Sequence, residues 1–283
     1  MKKNGFGFML FLKIATVVCI IAAAAVGLFY LTGYVRDVSG LSGKTAAVKL
    51  LNPPKWINHA LEEKIYAAVT AYGENLRLDE DVAASVQKNI QSQVAWLDDV
   101  KIRATHESIL ITADYRKPIA LIKRGLHKFY VDSELVVLDY IPMPSVPTVK
   151  VEGLPATTPD AKTGQVWHME DLAAAVAILD KLDKTDKQLR LEKPLLNEID
   201  RIDISNFNGR ESQRAPHIIL YAIDNTEIIW GAELEKWKRN LEAPDEEKIA
   251  KLYDYYRDFK GLTGEVKYIN LMDPRDGAYQ PID

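Results

Sequence analysis

The sequence predicts an α+β chain: a single N-terminal transmembrane helix, a small unit of two helices and a hairpin, then a mainly antiparallel β domain with flanking helices. Three observations predict it. The run from Ile14 to Val35 holds no charged residue. Two segments between Trp56 and Val94 place apolar residues at every fourth position, the spacing of one helix face. Beyond Val100 apolar residues alternate in short segments broken by Pro, Gly and Asp-Asn, as strands and turns do. A composition of 47% hydrophobic and 27% charged over 283 residues suits roughly two globular domains.

Residues 1–13 carry Lys2, Lys3 and Lys13 and no acid. Residues 14–35 are long enough to cross a hydrocarbon layer, which needs about 20 apolar residues. Tyr30 and Tyr34 fall near the far end, where aromatic rings favour the interface. The lysines mark the near side as cytoplasmic, which places the body outside the cytoplasm. The apolar run continues past Ala22–Ala25 through Val26, Leu28, Phe29 and Leu31, so a retained anchor is expected over a cleaved signal peptide. Residues 36–50 read as a linker. Its Gly43-Lys44-Thr45 resembles the end of a phosphate-binding loop, but Val38 stands where that motif needs glycine.

The first domain is predicted over residues 51–122. Ile57, Leu61, Ile65 and Val69 mark one helix, stopped near Gly73. Asp79 is the expected N-cap of a second, with Val82, Val86, Ile90 and Val94 on its face. VKIRAT and SILITAD then alternate as two strands of a hairpin. Asp114-Tyr115-Arg116-Lys117 follows, ahead of Pro118. Proline has no N–H to give a ladder and belongs at a strand start or edge. These polar residues therefore read as a joint between domains, with Tyr115 and Arg116 also candidates for partner contact.

The second domain is predicted over residues 123–283. Phe129–Val131 and Leu135–Leu138 flank a turn at Asp132-Ser133-Glu134. Pro142, Pro144 and Pro147 make an irregular crossing to a strand at 148–152 and Gly153. A helix is expected at 171–182, with Leu172, Val176, Leu179 and Leu182 inward. Strands follow at 200–205, 217–223 and 226–230, the last two joined at Asp224-Asn225. Residues 234–241 and 244–259 read as helices, before a final strand at 266–272.

Composition narrows the chemistry. Because the first thirteen residues are basic, the rest is more acidic than the net charge of −4, which argues against a surface that tracks nucleic-acid phosphates. The one cysteine, Cys19, allows no intrachain disulfide. The histidines at 59, 106, 127, 168 and 217 are scattered, and His168-Met-Glu170-Asp171 reads as a helix start. No serine sits in a nucleophile elbow. No catalytic site, cofactor, metal or small-molecule substrate is expected.

The order of elements resembles the FtsQ/DivIB family, single-span bacterial division proteins whose first extracytoplasmic domain is a polypeptide-transport-associated (POTRA) domain. Trp96-Leu97, Val100-Lys-Ile102, Ile109-Leu-Ile111 and Arg116-Lys-Pro118-Ile-Ala120 follow the family's first-domain order, with Tyr115 where the family usually has glutamate. FYVDSELVV resembles its "Y-x-V-D-x-x-G-x-V" hairpin, with Glu134 in place of glycine, and Trp230-Gly231 its "v-x-l-G" strand end. Tyr268-Ile269-Asn270-Leu271 resembles its "Y-I-D-L-R" strand, with Asn270 replacing aspartate and Met272 replacing arginine. The resemblance implies a non-enzymatic inner-membrane scaffold at the division septum. It would recruit FtsB/FtsL-like bitopic division proteins by strand addition at a terminal edge strand, residues 266–272, with Tyr268, Ile269, Asn270, Leu271 and Met272 as contacts. Two rival readings remain open. One is a membrane-tethered envelope hydrolase using Asp200 and Asp203, which requires those carboxylates to converge in a deep pocket. The other is a POTRA scaffold serving secretion or outer-membrane assembly.

Overall fold

The computed structural model describes residues 26–27, 47–71, 80–105, 108–264, 266–274 and 279–281. The expected span at 14–35 lies outside these apart from Val26 and Gly27, which are helical, and so do Gly73 and the expected cap at Asp79. No helix among the described residues is long and apolar enough to cross a membrane.

The chain folds as a small sheet with two helices, followed by a large mixed sheet. The small sheet has the order β1-β3-β2, built from Ala47–Leu50 (β1), Leu97–Ala104 (β2) and Ser108–Tyr115 (β3). Between β1 and β2 run α1 (His59–Thr70) and α2 (Glu80–Gln93). Asn58 starts α1 by accepting a hydrogen bond from the Leu61 N–H at 3.0 Å, which is why the helix begins there and not at Trp56. Leu61, Ile65 and Val69 are buried against Val86, Ile90 and Val94 of α2 and its end. β1 corrects the reading of residues 36–50 as linker: Val48 pairs with Ile109 in parallel and packs on this core. Four residues pairing with a strand so distant in sequence leave no local periodicity to find.

The large sheet has the order β12-β11-β10-β9-β8-β7-β4-β5-β6. Its strands are Pro118–Arg124 (β4), His127–Asp132 (β5), Val137–Asp139 (β6), Val149–Glu152 (β7), Ile199–Asp203 (β8), Ile218–Ala222 (β9), Glu227–Gly231 (β10), Val266–Asn270 (β11) and Tyr279–Pro281 (β12). Five of its eight pairings are antiparallel, while β4–β7, β7–β8 and β10–β11 are parallel. Parallel neighbours need a crossover; β5, β6 and the following loop supply it between β4 and β7, and helices supply it for the other two pairs. Glu170–Leu189 (α3) joins β7 to β8, and Asp245–Phe259 (α5) joins β10 to β11, after the short turn of helix Trp237–Asn240 (α4). α3 therefore runs seven residues beyond the expected 182, and the helix expected at 234–241 shrinks to one turn. Leu172, Val176 and Leu179 of α3 and Leu252 and Tyr256 of α5 are buried with Ile202, Leu220, Ile228 and Ile269 of the sheet.

β4 moves the predicted domain boundary. Residues 118–124 belong to the large sheet, so the division falls between Tyr115 and Pro118, not at 122. The two units also share a core. On β5, Phe129 and Val131 face the helices, whereas Tyr130 joins Trp96, Val136, Leu138 and Met143 in the core of the small unit. Strand alternation sends successive side chains to opposite faces, so one strand serves both cores. The Trp96 and Tyr130 rings meet edge to face, 6.0 Å apart.

Candidate partner-binding margins

Docking by strand addition needs a sheet margin with unpaired backbone groups, and three margins among the described residues, at β2, β6 and β12, differ in how they are covered. β2 carries a bulge between Asp98 and Lys101, with Asp99 at φ +43 and charged side chains exposed along it. Charges and bulges both discourage an incoming strand. β6 is covered by residues 164–167: the Gly164 N–H donates to Val137 O at 2.8 Å, and the Val137 N–H donates to Gln165 O at 3.0 Å.

At the opposite end, β11 pairs in parallel with β10, Glu227 opposite Tyr268 and Ile229 opposite Asn270. Its other side is also taken. β12 lies antiparallel to it, with Gln280 opposite Tyr268 and Tyr279 opposite Ile269. The expected terminal edge strand at 266–272 is thus an interior strand, and the outermost position belongs to Tyr279–Pro281. DPRDGAYQPID has two prolines, a glycine and no apolar alternation, so nothing in it announces a strand.

The five residues expected to contact a partner here divide sharply. Ile269 and Leu271 are fully buried in the helical core. Tyr268, Asn270 and Met272 are half-buried. Asn270 accepts a hydrogen bond from the Met272 N–H at 3.0 Å, and Met272 O accepts one from the Ala243 N–H at 2.8 Å.

A feature absent from the sequence reading braces this end of the sheet. Glu242 and Lys248 form a buried ion pair at 2.6 Å, and the Ala232 N–H donates to both Glu242 oxygens. Gly231 sits at φ +92, and a Cβ there would stand 2.4 Å from Glu242 Oε2. Only glycine fits where β10 turns against this carboxylate. The pair is invisible in sequence because neither residue shows its burial there.

Tyr115 and Arg116 lie at the other end of the large sheet, apart from 268–272. Arg116 Nη1 donates to Asp132 Oδ2 and Glu134 Oε2, both at 2.7 Å, and Nη2 donates to Asp98. Burial works against its charge, but the Glu134 and Asp132 hydrogen bonds outweigh that and raise its pKa. Asp132 uses its other oxygen to accept from the Glu134 and Val136 N–H groups. Lys117 pairs at 2.8 Å with Asp183 of α3. Burial alone pushes the Asp183 carboxyl up, yet hydrogen bonds from Lys117 and Lys187 hold it below its ordinary value. Tyr115 is half-buried, and burial raises its hydroxyl pKa. This polar knot thus ties β2, the β5–β6 turn and α3 together. Its guanidinium is spent on three carboxylates of its own chain.

The carboxylates named for a hydrolase do not converge. Asp200 pairs with Lys150 at 2.7 Å, and Asp203 accepts from the Ser205 N–H at 2.8 Å. A concavity of about 560 Å³ beside β4 and β7 is lined by Lys123, Arg124, Lys128 and Lys150 and includes neither aspartate. Asp171 is buried, accepts from its neighbour Leu172 N–H and pairs with Arg210 at 2.8 Å. Among the described residues no group of three His, Cys, Asp or Glu side chains could hold a metal ion.

No protein-family model matches this chain, and no curated protein matches it.

Proposed function

We propose that this chain is an inner-membrane scaffold of bacterial cell division of the FtsQ/DivIB kind. It is held by one N-terminal span and recruits FtsB/FtsL-like bitopic proteins with its extracytoplasmic body. The observation that carries the reading is the order of units: β1-α1-α2-β2-β3 with β3 central, the arrangement of a POTRA domain, and then a sheet whose last strands form its outer margin. Such a body works by holding partners, and strand addition at a sheet margin, here the β12 end, depends little on side-chain identity. The separation of Asp200 from Asp203 into two unrelated contacts weighs against the hydrolase reading.

The test is where the protein goes. A fluorescent fusion of the full chain, expressed from its own promoter, should gather as a band at the division site. Uniform envelope fluorescence through the cell cycle would overturn the reading and favour a POTRA scaffold for secretion or outer-membrane assembly.

A further inference from the structure

On the face of the large sheet turned away from α3 and α5, two lysines stand directly opposite each other. Ile122 and Phe129 point into the helical core, so strand alternation sends Lys123 of β4 and Lys128 of β5 to the other face, where they are cross-strand partners. Like charges placed opposite each other in an antiparallel pair destabilise it. Among the described residues neither lysine pairs with a carboxylate. The Lys128 ammonium lies 5.2 Å from the centre of the Tyr140 ring, which attracts the charge without neutralising it. Glu152 is close by, but its carboxylate is 3.5 Å from Arg201.

The pair borders the concavity of about 560 Å³, a volume within the range of ligand sites, about 300–1,000 Å³. Leu121 lines it beside the charges, and Gly153 to Ala156 form a wall. Arg124 fixes the chain just after that wall: its Nη1 donates to Thr158 O at 3.0 Å and to Pro159 O at 3.1 Å. The guanidinium, whose planar fork suits a phosphate, is thereby spent on carbonyls. Lys150 of β7 is likewise held, by Asp200. What is left for a ligand is two separate ammonium charges beside an apolar patch. A polypeptide with neighbouring carboxylates can place one on each and enter the recess, whereas the flat surface of a bilayer cannot follow it inward.

We propose that this concavity between β4, β5 and β7 is a docking site for an acidic segment of a partner polypeptide, whose carboxylates seat on Lys123 and Lys128. An anion there turns the repulsion of the pair into attraction, and the surrounding acidic body turns such a segment away from most other places. The site lies on interior strands, away from the β12 margin, and does not depend on strand addition. It goes beyond the recruiting role proposed above, which its failure would leave standing.

The test titrates a rhodamine-labelled octaglutamate peptide into the full chain in non-ionic detergent and reads fluorescence anisotropy, with octalysine as control. Octaglutamate should bind, octalysine should not, and affinity should fall as salt is raised. Lys123→Gln combined with Lys128→Gln should weaken binding at least about tenfold. The same double variant should resist urea as well as the unmodified chain or better, because the repulsion is gone. Absence of binding by the unmodified chain, equal binding by the double variant, or a clear loss of stability in that variant would each overturn the proposal. Two further arms identify other ligands. Sodium phosphate that displaces the peptide far better than sodium chloride at equal ionic strength would assign the recess to a small phosphate anion. Slower amide exchange at 125–127 in nanodiscs of anionic lipid than in zwitterionic ones would assign this face to a bilayer, with Leu126, 99% exposed at the β4–β5 turn, as the contact. Either result replaces the peptide and overturns its assignment. Septal localisation is read without any of these measurements, so failure of the site and failure of the recruiting role remain distinguishable.

Discussion

At one end of the large sheet β6 is covered by a segment that runs into Trp167, a buried side chain whose ring meets Phe129 edge to face at 5.2 Å; at the other end the outermost strand is β12, which among the described residues pairs with β11 through Tyr279–Pro281. The first closure is held by backbone hydrogen bonds together with burial of a large aromatic side chain, and the small unit packs against the same end. Fully burying such a side chain contributes on the order of 2 kcal/mol or more, whereas one backbone hydrogen bond contributes about 1 kcal/mol net. A margin fastened by apolar burial is permanent.

The comparison can be broken first at the fixed end. Trp96→Ala empties the space where the small unit meets Tyr130 and should cost about 4 kcal/mol, read from urea unfolding of the full chain in detergent. A loss below about 1 kcal/mol would mean the units are not joined through this core. Next in size, Arg116→Met leaves the buried Asp132 carboxylate without its cation and should cost about 3 kcal/mol. A near-neutral result would mean the knot only decorates the surface.

A smaller effect concerns acid. Because the folded Asp183 pKa lies below its ordinary value of 3.8, its stabilisation is complete above that pH and fades as pH falls through the folded value. Asp183→Asn should cost about 1 kcal/mol at neutral pH, with the gap to the wild type closing below pH 4. Unfolding curves at pH 7 and pH 3 check this, and a gap that widens in acid contradicts it. The difference between the two proteins isolates this group from Asp186, whose carboxyl burial raises in the opposite direction. The smallest effect belongs to the β12 end: removal of 275–283 should change global stability by less than about 1 kcal/mol. A loss as large as that of Arg116→Met would erase the contrast between the two margins.

Much of this architecture is legible in the residues. The helix faces at Leu61–Val69, Val86–Val94, Leu172–Leu182 and Ile249–Tyr256 are buried as their spacing demands. The polar knot after Asp114 is a joint, and Pro118 opens a strand. Other features stayed hidden for identifiable reasons. β1 and β12 are too short for periodicity to register. The Glu242–Lys248 pair looks like ordinary helix-flanking charge until β10 is placed beside it. The candidate contacts at 268–272 were readable as a strand, but whether that strand was outermost was not.

The sequence by itself determined the kinds of element and their order, because 3.6- and 2-residue periodicities are properties of neighbouring residues. Only the tertiary structure decided which strand lies beside which, and that one strand, β5, serves two cores. Strand neighbours are set by pairing between segments far apart in the chain, and that competition is settled by the whole fold at once.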